Sequence, residues 1–102
     1  DTVATYRDGP VVVGVSAGSA ALSARVRDAI RTSLDPRFAL QAAVLEPMRA
    51  RIQAMAGLDS LERQAIFRDL ASAEAMDILA TGGPEALWRW AAARHPRIAP
   101  LR

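Results

Sequence analysis

The hydrophobic positions of this chain form one continuous run and then a series of helical stripes. The run lies at residues 10–16 (PVVVGVS), where valines fall on both faces of an extended segment. That pattern is typical of a strand buried on both sides. Because a lone strand forms no sheet, this strand must pair with the N-terminal stretch, with a missing segment or with a second copy of the chain.

Two helices are predicted after this strand. The first follows a turn of small residues, has Ser19 as its predicted N-cap, and places apolar residues at helical spacing. Asp35 before Pro36 predicts the start of the second, because Asp caps free amides and Pro is tolerated in a first turn. Pro47 lacks the amide proton that would bond back to Ala43, so we expect a kink or a break there.

Three further helices are predicted from their capping and breaking residues. Asp59 and Glu62 have the spacing of a capping box. Ser72 is the predicted N-cap of a fourth helix, which ends at residues 82–83 (Gly-Gly). Pro84 then starts a fifth helix, which ends before His95 and carries two tryptophans at a spacing that points them to different faces. One of these tryptophans is expected to mark an interface.

We therefore predict a mainly α fold with one N-terminal β-strand. A strand–turn–helix dimerisation segment covers residues 1–35, and a small helical bundle covers residues 36–102. Alanine supplies much of the 51% hydrophobic share, which favours Ala-rich helices. A chain of 102 residues has a thin core, which favours a partner chain.

The charge and composition exclude several classes of function. All 13 basic residues are Arg, the net charge is +2, and Arg alternates with acidic residues, so we expect no nucleic-acid partner. The absence of Cys and the single His leave no usual metal-ligand set. No apolar run is long enough for a membrane span, and we expect a cytoplasmic protein. The first residue is Asp1 rather than Met, so we expect sequence ahead of it.

Residues 14–18 (GVSAG) match the G-x-S-x-G pattern of a serine nucleophile between a strand and a helix. Only His95 could serve as the base for Ser16, and an α/β-hydrolase sheet has several strands where this chain shows one. The alternative interpretation is that small residues let a strand turn tightly into a helix. The same turn could also bind a carboxylate at the helix N-terminus, although it lacks the dinucleotide and P-loop patterns.

Arginines on the first two helices allow two interpretations. They are Arg25, Arg27, Arg31, Arg49 and Arg51. The simpler interpretation is a solvated face with ion pairs along each helix. The other is that some of these guanidinium groups bind substrate carboxylates.

Taken in order, several segments resemble the second half of precorrin-2 dehydrogenases of the sirohaem synthase type. The segments are residues 8–16 (DGPVVVGVS), the small-residue turn, residues 22–30 (LSARVRDAI), residues 48–52 (MRARI) and residues 62–67 (ERQAIF). The resemblance spans residues 7–82. It depends on the order and spacing of all these segments together.

The resemblance implies a homodimeric enzyme that oxidises the tetrapyrrole precorrin-2 to sirohydrochlorin with NAD, and that in some members also inserts ferrous iron. It places the NAD-binding Rossmann domain and the catalytic Asp ahead of Asp1, so that no catalytic, cofactor-binding or metal-binding residue is expected in this chain. Residues 36–102 would wall one side of the substrate cleft. The expected substrate contacts come from four residues: Ser16, Gly18, Ser19 and Arg25.

The chain departs from the family pattern at several places. The turn is shorter than in the family, Ala20 replaces the usual Pro, and Pro47 interrupts a helix that is normally continuous. Gln64 and Phe67 replace the more usual Arg and Trp. Two other functions therefore stay open, a non-catalytic helical oligomerisation module and a serine hydrolase fragment built on the G-x-S-x-G match.

Overall fold

The computed structural model describes residues 3–98. They form two strands and then four helices: β1 (Val3–Asp8), β2 (Val11–Ser16), α1 (Ala20–Ser33), α2 (Arg37–Gln53), α3 (Ser60–Leu70) and α4 (Ala73–Arg94). The prediction of a mainly α fold with strand structure at the N-terminus is confirmed. The chain divides into two compact units, unit 1 (residues 1–42) and unit 2 (residues 43–102).

Strand β1, which the sequence analysis did not predict, is the antiparallel partner of β2. Their register runs from Val3 opposite Ser16 to Asp8 opposite Val11. Gly9 has a φ of +57°, a left-handed conformation that glycine adopts readily and that lets the chain reverse between the strands. Of the three pairing partners expected for the valine-rich strand, the N-terminal stretch is the one found. The strand therefore does not need a second copy of the chain to form a sheet.

Strand β2 is half-exposed, so the expectation that both its faces are buried was wrong. Its residues alternate between half-buried and exposed, and Val12 is 52% exposed. Helix α1 packs against both strands of the hairpin, and Tyr6 of β1 is buried. Alternation of this kind is typical of an antiparallel hairpin with one covered face, because side chains point to opposite faces in turn.

Helix α2 begins where the sequence predicted and continues through its proline. The Asp35 carboxylate accepts the backbone N–H of Arg37 at 2.9 Å, so its predicted capping role is confirmed. Of the two alternatives expected at Pro47, the break was wrong, because α2 runs without interruption from Arg37 to Gln53, and the kink stays a prediction. A proline removes one helical hydrogen bond, and the turns on either side keep theirs.

The core of unit 2 is built from the second part of α2, from α3 and from α4. The predicted capping box of α3 is confirmed, since the Asp59 side chain accepts the N–H of Glu62 and the Glu62 side chain accepts that of Asp59. Helices α3 and α4 pack against each other. The buried cluster contains Met48, Ile52, Leu58, Ile66, Leu70, Ala75, Leu79, Leu87, Trp88, Ala91 and Ile98.

Helix α4 is two helices joined at a break. Ser72 caps the first, as predicted, by accepting the N–H of Ala75 at 3.1 Å. Gly83 has a φ of +79° and a ψ of −177°, which are not helical angles, and Pro84 follows it. The predicted end of the fourth helix and start of the fifth are thus confirmed.

The two tryptophans of α4 lie in different surroundings, as their spacing predicted. Trp88 is buried with the Arg51 guanidinium 5.0 Å from the centre of its ring. Trp90 is partly buried against the core, and Arg94 lies 5.0 Å from its ring centre. A role for one of them at an interface stays a prediction.

Candidate functional site

The junction between β2 and α1 is held by a buried serine that the sequence analysis did not single out. Ser23 has 0% of its surface exposed, and its hydroxyl oxygen accepts the backbone N–H of Ala17 at 2.9 Å. Its own N–H donates to the carbonyl of Ser19 at 2.9 Å, which closes the first turn of the helix. Because a side chain of α1 accepts a hydrogen bond from the preceding loop, the loop has a defined conformation.

The loop itself presents small residues to solvent at the start of α1. The Ser19 hydroxyl oxygen accepts the N–H of Leu22 at 3.2 Å, so its predicted role as N-cap is confirmed. Gly18 has a φ of +87°, and a Cβ placed there would meet no atom within 4 Å. The loop is therefore open on the side of Gly18, next to the first turn of α1 and the positive end of its dipole.

Three of the four expected substrate contacts lie at the junction of β2 and α1, and the fourth lies further along α1. Ser16 is the exposed last residue of β2, and Gly18 and Ser19 follow it. Arg25 lies on the exposed surface of α1, and its guanidinium makes no hydrogen bond or ion pair with any other residue between positions 3 and 98. The structure thus puts all four in unit 1 and does not bring Arg25 into contact with the loop.

Replacing Ser23 by Ala tests how much the loop depends on this serine. The substitution leaves the partly buried N–H of Ala17 without its acceptor, so we expect unit 1 to lose about 1 kcal/mol of stability. Amide hydrogen exchange at Ala17 should accelerate accordingly. Ser33→Ala is the matched control, because that exposed hydroxyl bonds only to carbonyls of its own helix. Equal exchange at Ala17 in both variants would contradict the assignment.

The other arginines of α1 have partners within unit 1. The Nε of Arg27 is 3.0 Å from a carboxylate oxygen of Asp28, and its Nη1 is 3.5 Å from the carbonyl oxygen of Thr5. Arg31 lies 4.8 Å from the ring centre of Tyr6. For these two residues the simpler interpretation, local contacts on a helix face, accounts for what is found.

Tyr6 and the cavity beside it were not expected from the sequence. The cavity has a volume of about 240 Å³ and is lined by Tyr6, Arg7, Asp8, Arg31, Leu34, Asp35 and Pro36. The Tyr6 hydroxyl is buried and has no hydrogen-bond partner among residues 3–98. A single tyrosine in an unrecognised strand gives no sequence signal for such a position. Its cavity mixes two cationic with two acidic side chains, so it shows no preference for one ligand charge.

The only histidine, His95, forms a short contact that the sequence could not show. Its Nε2 lies 2.7 Å from a carboxylate oxygen of Asp69, at the end of α3. Arg94 approaches the same oxygen at 3.3 Å. The hydrogen bond from His95, with Arg94 as the second contribution, holds the pKa of Asp69 below its usual 3.8, against the opposing effect of burial. His95 also ends α4 as its C-cap, as predicted.

The Asp69 contact predicts a loss of stability in acid. A carboxyl whose pKa is lowered by folding stabilises the folded state above its unfolded pKa, near 3.8, and this stabilisation is lost as the pH falls through the folded-state value. We expect Asp69→Asn to be less stable than the parent at neutral pH and to approach it below about pH 4. Urea unfolding at a series of pH values measures this. A stability difference that does not vary with pH would refute it.

The geometry at Ser16 does not favour a nucleophile. A nucleophile elbow holds its serine on a strained turn, whereas every residue with positive φ between positions 3 and 98 is a glycine. Ser16 stands instead as the ordinary last residue of a strand.

Metals, membranes and known proteins add no further assignment. Between residues 3 and 98, no group of three or more His, Cys, Asp or Glu side chains is placed to hold a metal ion. In the same part of the chain, no helix combines the length and the apolar character needed to cross a membrane. No family model, curated protein or solved structure matches the sequence or the fold.

Proposed function

We propose that this chain is part of a precorrin-2 dehydrogenase of the sirohaem synthase type, which oxidises precorrin-2 to sirohydrochlorin, and that unit 1 binds carboxylates of the tetrapyrrole. The observation that carries the proposal is the open loop of small residues at the N-terminus of α1, together with an exposed Arg25 on the same helix that pairs with no other residue between positions 3 and 98. The order of the segments that resemble this family supports it. The resemblance itself stays an argument from the sequence.

The loop and Arg25 offer the groups that a carboxylate needs. The first amides of a helix lack helical acceptors, and the helix dipole favours negative charge there. The Ser19 oxygen accepts the N–H of Leu22, which leaves its own hydroxyl proton available to donate. A guanidinium donates two parallel hydrogen bonds to one carboxylate. A tetrapyrrole with several carboxylates could use the loop and Arg25 separately, so the two need not be in contact.

The residues of this chain do not fit NAD. Strand β2 pairs antiparallel with β1, whereas a dinucleotide site is built on a parallel βαβ unit with a G-x-G-x-x-G loop. NAD therefore enters the proposal only as the hydride acceptor held by another part of a longer parent protein. Ferrous iron, the second substrate of some members of the family, has no cluster of ligands between residues 3 and 98. What unit 1 would contribute is binding and orientation of the tetrapyrrole.

The homodimer is also part of the proposal, although it is not supported by an unpaired strand. The valine-rich strand finds its partner within the chain. What supports a second copy is the outer face of the hairpin, where Val3 is 55% exposed and Val12 is 52% exposed. Exposed apolar side chains on a two-stranded hairpin, to which residues 3–98 add no further strand, are suited to an interface.

Titration of the chain with sirohydrochlorin tests the proposal. We expect a shift of the tetrapyrrole absorbance that saturates, and Arg25→Met should weaken binding about tenfold by removing one charge-assisted contact. Arg68→Met is the matched control, because Arg68 is also exposed and also has no partner among residues 3–98. An unchanged absorbance spectrum, or equal affinity in the two variants, would contradict the proposed site. In the parent gene, a G-x-G-x-x-G motif ahead of Asp1 is expected.

A non-catalytic oligomerisation module is the second candidate, and the exposed valines of the hairpin favour it. In that case the chain should self-associate while sirohydrochlorin titration leaves its spectrum unchanged. Both candidates expect self-association, so sedimentation of the unsubstituted chain and of Val12→Thr distinguishes either of them from a monomer. Thr keeps the shape of Val and adds a hydroxyl that is costly to bury at an interface. A monomer in both samples would exclude the module.

A further inference from the structure

Unit 1 contains the cavity beside Tyr6, which takes no part in the proposed function. Its volume is about 240 Å³, smaller than most cavities that hold drug-sized molecules and sufficient for a ligand of amino-acid size. The ends of β1 and α1 form its sides, together with the two residues that lead into α2. Every lining residue belongs to unit 1, so the cavity is formed within a single compact unit.

The lining contains a buried hydroxyl that has no partner. Tyr6 is 7% exposed, and its hydroxyl forms no hydrogen bond with any residue between positions 3 and 98. Buried polar groups are nearly always hydrogen-bonded in folded proteins, because an unpaired one loses its bonds to water without replacing them. A phenolic hydroxyl can donate or accept. A ligand in the adjacent cavity would supply the bond that this hydroxyl lacks.

Two charged side chains at the end of β1 are available to such a ligand. Arg7 and Asp8 form no hydrogen bond or ion pair with any other residue between positions 3 and 98. The second carboxylate of the lining, that of Asp35, is already paired, since Arg37 donates to it from Nη2 at 2.9 Å. Asp8 is therefore the carboxylate of this cavity that still lacks a cation.

A cation on the opposite side comes from the last turn of α1. The Arg31 guanidinium lies 4.8 Å from the centre of the Tyr6 ring. An aromatic ring carries no net charge, so this contact places the cation without neutralising it. The N–H groups of Arg31 have no acceptor between positions 3 and 98. Since side chains alternate along a strand, Asp8 and Tyr6 share one face of β1, and the cavity has an anion, a hydroxyl and a cation around it.

We infer that this cavity binds an α-amino acid in its zwitterionic form. The ligand carboxylate pairs with Arg31 and accepts the hydroxyl proton of Tyr6, and the ligand ammonium pairs with Asp8. An apolar ligand side chain packs against Leu34 and Pro36, the apolar residues of the lining. The volume excludes a tetrapyrrole. The inference does not depend on the proposed function, since a chain that fails to bind sirohydrochlorin can still bind an amino acid.

Leucine and two analogues that each lack one charge test whether both charges are recognised. The analogues are 4-methylpentanoate, which lacks the ammonium, and 3-methylbutylamine, which lacks the carboxylate. In calorimetric titration of the whole chain, leucine should bind at least tenfold more tightly than either analogue. No binding of leucine at millimolar concentration, or equal affinity for all three compounds, would overturn the inference.

Asp8→Asn tests the site of the ammonium. It should weaken leucine binding at least tenfold while changing the binding of 4-methylpentanoate by less than about threefold. The hairpin turn is kept, because Asn before Gly favours it as Asp does. Glu46→Gln is the matched control, since Glu46 is an exposed carboxylate that does not line the cavity. Equal affinity for leucine in the two variants would contradict the role of Asp8.

Tyr6→Phe tests the hydroxyl through both stability and binding. Without ligand, the variant should show slower amide hydrogen exchange in β1 and β2 than the parent, because it removes a buried group that has no partner. Its affinity for leucine should fall about tenfold. Faster exchange in the variant would mean that the hydroxyl has a partner within the folded chain. That result, or unchanged leucine affinity, would refute the assignment.

Nuclear magnetic resonance locates the ligand within the chain. Tyr6 is the only tyrosine, so isotope-labelled tyrosine gives one set of ring signals, and these should shift as leucine is added. The indole N–H signals of Trp88 and Trp90, which belong to unit 2, should not shift. Leucine binding that moves the indole signals and leaves the tyrosine ring unchanged would exclude this cavity.

Discussion

Leu70→Ala should lower the free energy of unfolding of unit 2 by about 2 to 5 kcal/mol. Leu70 is the last residue of α3, is 1% exposed and belongs to the buried cluster of unit 2. Removing its side chain forfeits its burial and leaves a cavity that the surrounding helices fill only partly. Both tryptophans of the chain lie in α4, so their fluorescence during urea unfolding reports on this unit.

Leu61→Ala is the control for that result, made on the same helix and with the same change of side chain. Leu61 is 76% exposed, and a substitution at such a position usually changes stability by less than about 0.5 kcal/mol. If Leu61→Ala lowered the free energy of unfolding as much as Leu70→Ala, α3 would not bury the face that the structure gives it.

Gly83→Ala should lower the free energy of unfolding of unit 2 by about 1 to 3 kcal/mol. The same urea unfolding experiment measures this loss. Its φ of +79° with a ψ of −177° falls in a region of backbone conformation that is almost restricted to glycine. An added Cβ would meet no atom within 4 Å, so the cost comes from the backbone conformation and not from a steric clash.

Gly57→Ala separates the effect of conformation from the effect of replacing any glycine. At Gly57 a Cβ would also meet no atom within 4 Å, and the backbone lies outside the left-handed region. We expect little or no loss of stability there, because Ala also restricts the unfolded chain. If the two variants were equally stable, α4 could not have the break that the structure gives it.

The sequence predicted the ends of the helices better than any other feature. Ser19, Asp59 and Ser72 all cap helices where expected, and the break at Gly83 was predicted. Such signals are local, because a cap bonds to an amide two or three residues away and a positive φ is set by one residue. Of the kink or break predicted near Pro47, the break is not found, because a helix that packs on both sides of a proline tolerates one missing bond.

Strand β1 was not predicted because its residues, VATYRD, alternate only weakly between apolar and polar side chains and contain only one large aromatic. A signal was present, since Asp8 and Gly9 form a dipeptide that favours hairpin turns. The strand prediction began at Pro10 and left this turn outside. As a result the second strand was treated as unpaired, and its burial was predicted on the wrong pattern.

Contacts between side chains and distant parts of the chain could not be predicted from the sequence. Nothing in the spacing of Ser23 shows that it would bond to the N–H of Ala17 across the start of its helix. His95 and Asp69 are 26 residues apart and meet only because α3 and α4 pack together. Of the expected contacts, adjacency in sequence placed Ser16 and Gly18 in one loop, while the position of Arg25 followed from the fold.

The break at Gly83 also divides the electrostatics of the 22-residue α4. Peptide dipoles add only where they are aligned, so α4 carries two shorter macrodipoles in place of one long one. A partial positive charge therefore develops in the middle of the helix, at the turn that begins with Pro84. Glu85 lies in that turn, where a carboxylate is favoured by about 0.3 to 1 kcal/mol, although its position in the sequence would place it far from either end of a single helix.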